Sequence, residues 1–152
     1  MAYRAPISEF QFLFDHIVDL SAVTKHERFS DASSETITAI LTEAARLCQE
    51  ELAPLQRVGD IHGAQLIEGQ VQTAPGFAKA YRAIAEGGWI GIGADPAQGG
   101  LGLPMAVTTA VNEMMSSACL SLQLNPLMTQ GQIDALSSHA SAEIKDLYLP
   151  NL

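Results

Sequence analysis

Glycines are the first residues here spaced in a way that could do chemistry. Gly91-x-Gly93-x-x-Pro96 approaches the pattern with which a dinucleotide-binding turn cradles a pyrophosphate. That turn needs a third small residue, a preceding strand and a helix opening directly after the second glycine. Pro96 stands in the third position, the surrounding sequence reads as helix, and no phosphate-reaching Lys follows. The pattern is therefore rejected. Cys48 and Cys119 both fall on apolar helical periods and read as small buried hydrophobes. A disulfide framework or a metal centre would need more partners at tighter spacing. His16, His26, His62 and His139 are scattered, and His26-Glu27 lacks the second His of a zinc-binding helix, so no metal is assigned. No Ser sits in a nucleophile elbow, and Glu50-Glu51 reads as solvent-facing helix surface. Residue types alone thus name no catalytic residue, no cofactor-binding residue and no metal ligand.

One stretch is shaped for binding rather than reaction. Beyond a long apolar helix, Leu124, Leu127 and Met128 stand around helix-breaking Pro126, which predicts an apolar turn. Flexible Met beside Leu suits an alkyl or thioether chain. Ordinary core packing accounts for any one of these residues equally well.

The elements that must position this stretch are helical. Gly87 to Leu103 carries seven glycines, one proline and the only Trp of the chain, so it reads as a shaped connector between helices. Before it, Pro6 to Leu20 predicts a first helix with a stripe of Ile7, Phe10, Phe14, Ile17 and Val18. Phe12 and Leu13 widen that stripe, so cover on more than one side is expected. A polar link, Ser21 to Ser34, leads to a helix capped by Ser33 or Ser34, with Ile37, Ile40, Leu41, Ala44, Ala45, Cys48 and Leu52 on one face. Glu43, Arg46, Glu50 and Glu51 form its solvated side, and Pro54 is expected to end it near Ala53. Leu55 to Thr73 reads as irregular, with a hairpin over Gln65 to Val71. A third helix is expected from Thr73 or Ala74 to Gly87, and a fourth from Pro104 through Leu122. Shorter helices are expected at Gln130 to Ser138 and Ser141 to Tyr148.

Length and charge narrow the function further. With 152 residues the chain is long enough for one domain with a real core. Its net charge is −9, and no Lys or Arg occurs between Arg82 and Lys145. Nucleic-acid binding and a polybasic membrane patch both need clustered cations, and are excluded as classes. The N-terminus has no signal-peptide pattern, and Asn112 and Glu113 interrupt the best candidate for a membrane span. A cytoplasmic protein is expected.

The order of these motifs is specific. Gly87-Gly88-Trp89-Ile90-Gly91-Ile92, Pro96, then Gly99-Gly100-Leu101-Gly102-Leu103 resembles the acyl-CoA dehydrogenase family. Glu113 stands in the place of that family's helix acid. The ending Glu143-Ile144-Lys145-Asp146-Leu147-Tyr148-Leu149-Pro150-Asn151-Leu152 is close to its Glu-Gln-Lys-x-x-Tyr-Leu-Pro-x-Leu pattern. Tyr3-Arg4-Ala5-Pro6 through Leu20 resembles the N-terminal extension of the subgroup that includes 3-methylmercaptopropionyl-CoA dehydrogenases. The likeness departs at Met114, Ala140, Ile144 and Ala97-Gln98.

The resemblance implies an all-α helical bundle with a Gly-rich central connector: an extension helix and linker over 1–33, then an N-terminal helical domain over 34–152. In the family this domain packs on a β-domain and a C-terminal bundle. FAD and the acyl-CoA thioester lie between them, and a carboxylate, in most members from the C-terminal bundle, removes the α-proton while hydride passes to the flavin. Gln123, Leu124, Leu127 and Met128 match the family's acyl-facing turn. The expected partners are acyl-CoA and the flavin and C-terminal domains, or a second copy in a homo-oligomer. The expectation is a fragment, a truncated frame or one piece of a split flavoenzyme, inactive alone. The competing expectation is a stand-alone, non-catalytic helical interaction module that kept the fold.

Overall fold

The computed structural model describes residues 2–152. Its helices are α1 (Ile7–His16), α2 (Leu20–Val23), α3 (Ser34–Leu47), α4 (Ala53–His62), α5 (Phe77–Glu86), α6 (Met105–His139) and α7 (Ala142–Tyr148). A two-stranded antiparallel hairpin, β1 (Gln65–Ile67) and β2 (Gln70–Gln72), is the only sheet among the described residues, with Leu66 opposite Val71. The all-α expectation holds.

Helix α3 starts where its cap says it should. The Ser33 Oγ accepts the Thr36 N–H at 3.1 Å, satisfying a backbone donor that the first turn leaves free. Ser33→Ala should therefore cost about 1 kcal/mol, read as a lower urea midpoint at unchanged slope. Ile37, Leu41, Ala44, Ala45 and Leu47 turn inward from this helix, while Glu43, Arg46 and Glu50 form ion pairs in solvent.

Pro54 does not end the chain's helical course. Cys48–Leu52 forms a π-helical segment, and Ala53–His62 continues as α4 with Pro54 in its first turn. A first-turn residue needs no N–H, so proline there opens a helix rather than closing one. The region expected to be irregular thus begins only after His62.

The first helix is shorter than its apolar stripe. It ends at His16, and Asp19 takes a left-handed conformation (φ 48°) before the single turn α2. Phe10 and Phe14 are buried, whereas Phe12, Leu13, Ile17 and Val18 are exposed. Within this chain α1 is covered on one side only. Likewise α5 begins at Phe77, later than expected, and ends in a Schellman turn. Gly88 (φ 73°) lets the Gly88 N–H reach the Ala85 carbonyl and the Trp89 N–H reach that of Ile84.

The core lies between α3, the π-helical segment, α4 and the first arm of α6. Leu41, Leu52, Ile84, Val111, Met114 and Met115 are among its fully buried large side chains. Both cysteines are buried and unbridged.

Candidate functional site

The connector gives the site its rigid side. Backbone bonds run from Leu101 N–H to the Gly91 carbonyl, from Gly102 N–H to Ala94 and from Leu103 N–H to Ile92, at 2.9–3.0 Å. The loop therefore folds back on itself, with Ile90, Ile92 and Leu103 buried as anchors. The Asp95 carboxylate accepts the Ala97 N–H and caps the short turn Pro96–Gln98.

Helix α6 gives the other side, and it is not straight. Cys119 has φ −157° and ψ 85°, outside helical geometry, and the helix runs on either side of it. In an unbroken helix Asn112 and Gln130 would stand about 27 Å apart at the usual rise. Their side chains are bonded instead, Asn112 Nδ2 donating to Gln130 Oε1 at 2.7 Å. The two arms of α6 thus fold back on one another across Cys119. The predicted turn at Gln123 to Met128 is replaced by helix; the reversal falls four residues earlier, and Pro126 lies buried inside the second arm.

Three amides knit the arms together. Gln123 Nε2 donates to Asn112 Oδ1 at 3.0 Å, Asn112 donates to Gln130, and Gln130 Nε2 reaches the Trp89 carbonyl at 3.4 Å. Beside this relay opens a cleft of about 260 Å³, lined by Ile90, Gly93, Thr108, Asn112, Leu127 and Gln130 among others. Among the described residues, Thr108 Oγ1 and Gln123 Oε1 are buried with no partner. Concave, mostly apolar surface with a few converging polar atoms is the usual form of a small-molecule site. A larger groove, about 630 Å³, lies between α3 and α5, but its rim is charged side chains, several of them paired with one another in solvent.

The four residues singled out from sequence divide by helical face. Gln123 is 1% exposed and serves the amide relay, and Leu127 lines the cleft. Leu124 and Met128 are 51% and 68% exposed, and with Leu120 they make an apolar stripe outside the core. Asn112, Gln130 and Thr108 were not singled out from sequence. The available signal was amide and hydroxyl groups recurring within an otherwise apolar helix, where each must find a partner.

Titration does not add a reactive group. Burial pushes the Cys48 thiol up to about 12, which keeps it un-ionised and unreactive. No cluster of three potential metal ligands occurs among the described residues.

Residues 34–152 match the family description "Acyl-CoA dehydrogenase, N-terminal domain". The chain belongs to the acyl-CoA dehydrogenase family. Among curated relatives, the 3-methylmercaptopropionyl-CoA dehydrogenase of Ruegeria pomeroyi is 36% identical over 152 residues, all of this chain and 26% of the relative. The broad-specificity linear acyl-CoA dehydrogenase of Mycobacterium tuberculosis is 28% identical over 125 residues, 76% of this chain and 19% of the relative. This acyl-CoA dehydrogenase chain therefore spans about a quarter or less of the length of the relatives it matches. No helix of its described residues is long and apolar enough to cross a membrane.

Proposed function

We propose that this chain is the N-terminal helical part of an FAD-dependent acyl-CoA dehydrogenase and supplies one wall of its acyl pocket. The reading is carried by one observation. The second arm of α6 lines the cleft with Leu127 and, on its neighbouring face, leaves Leu124 and Met128 as apolar surface that the chain's own core does not use. Gln123 fixes that arm from beneath through Asn112. Such a wall binds and orients an alkyl or thioether chain and excludes water from it. An acyl thioester of the kind named for the two relatives is the corresponding substrate class.

FAD itself does not fit this chain alone. The cleft, about 260 Å³, falls below the roughly 300–1,000 Å³ of pockets that enclose drug-sized ligands, and no Lys or Arg stands near it for a pyrophosphate. A flavin would have to be held largely by other domains or chains, so we assign no proton or hydride step to residues of this one.

Chain-length selectivity tests the proposal. In the complete flavoprotein carrying these residues, Leu127→Trp should lower kcat/KM for the longest accepted acyl-CoA by about tenfold or more while sparing the shortest. Equal losses at every length, or none, would remove Leu127 from the wall. If the purified native protein carries no flavin and binds no acyl-CoA, the stand-alone interaction module becomes the better account.

A further inference from the structure

The N-terminal residues reach α6 at a place the acyl-pocket reading does not use. Tyr3 packs against the core, and its Oη donates to the Met114 carbonyl at 3.1 Å, across 111 residues of sequence. Two residues later the Ala5 N–H donates to Gln49 Oε1 at 3.0 Å. Gln49 belongs to the π-helical segment Cys48–Leu52, and Met114 lies five residues, about one and a half turns, before the reversal at Cys119. One short non-helical stretch therefore bonds within the first of the two places where the long helices leave regular α geometry, and just ahead of the second.

We infer that residues 2–6 act as a latch on the α6 reversal, with Tyr3 as a positioning residue that sets where Gln123 and Leu127 stand. The argument rests on how poorly α6 ties itself together there. Cys119 has non-helical backbone, and Pro126 offers no N–H to the Leu122 carbonyl. At these two points the helix's own ladder is irregular, so bonds from outside weigh more on how the arms are set. The Asn112 relay supplies one set of such bonds and Tyr3 supplies another. Burial first, then the neighbouring Cys48 and Glu113, raises the Tyr3 phenol to about 12, so it keeps its proton and remains a donor across the working pH range. Any consequence for acyl selectivity rests on the acyl-pocket reading; the latch itself does not.

Amide hydrogen exchange on the full 152-residue chain tests it without acyl-CoA or flavin. Tyr3→Phe removes only the hydroxyl and should speed exchange over 116–126 by about tenfold, leaving α3 near its wild-type protection. Ile37→Val is the comparison for a purely global loss, since it thins the core away from the reversal and should give no local excess at 116–126. Gln49→Ala, which cuts the second tie, should loosen 48–52 and 116–126 together, and it serves if Tyr3→Phe does not accumulate. Unchanged exchange over 116–126 in Tyr3→Phe, a loss shared equally with α3, or loosening confined to 48–52 in Gln49→Ala would each overturn the latch. None of these outcomes bears on Leu127 selectivity, so the two ideas fail separately.

Discussion

Gly100→Ala should destabilise the chain by about 3 kcal/mol or more and lower its melting temperature sharply. The added Cβ would overlap the carbonyl of Ala94, backbone against backbone, with no flexible side chain able to move aside. That same carbonyl accepts the Gly102 N–H at 2.9 Å, so relieving the clash also opens the bond that folds the connector onto itself. Overpacking costs typically about 1–3 kcal/mol when side chains can yield. Here only main chain can yield, and a loss at or above the top of that range is expected, against a total stability of about 5–15 kcal/mol. Gly99→Ala is the matched control. Its neighbour space is open, and only its left-handed backbone (φ 89°) resists a side chain, at about 1–2 kcal/mol. Thermal melts of the two variants should separate by several degrees, with Gly100→Ala the lower. Equal melting temperatures would mean the connector is not the close-packed body described above.

How much of this was legible depended on whether a residue's local signal had one meaning. The Gly87 to Leu103 connector was legible because seven glycines and a proline admit no helix. Helix α3 was legible because its cap and apolar period agree. Pro54 was misleading because proline stops a helix it ends and suits a helix it begins; the π-helical segment before it leaves no mark in composition. The reversal at Cys119 was invisible for a related reason. Cys119 continues the apolar period of its helix, while the visible breaker, Pro126, lies inside the next arm. The element expected to carry the candidate site was therefore wrong in kind. Gln123 to Met128 is helix, and its inward and outward faces do different things. Tyr3 could not have been found from periodicity, since its partner lies 111 residues away.

Asn112→Ala should be the most damaging single change among the polar residues of α6, and the reason is arithmetic of partners. Asn112 uses both ends of its amide, accepting from Gln123 and donating to Gln130. Truncation leaves the Gln123 amide, 1% exposed, with its nitrogen as well as its oxygen unpartnered, and frees the Gln130 oxygen. An orphaned buried polar group costs about 1–3 kcal/mol, so a combined loss of about 2–4 kcal/mol is expected. Gln123→Leu should cost less, although it also deletes a bond. It removes the buried amide altogether, including the oxygen that already lacks a partner, and substitutes apolar volume of similar size. The double variant decides between a shared network and two unrelated losses. If the relay is what holds the arms, Asn112→Ala in the Gln123→Leu background should cost at least about 1 kcal/mol less than in the wild type, a coupling well above the usual additivity error. Strict additivity would mean that the arms of α6 are held by apolar packing alone. The amides would then only accompany the reversal, and the cleft beside them would owe its shape to the connector and Leu127.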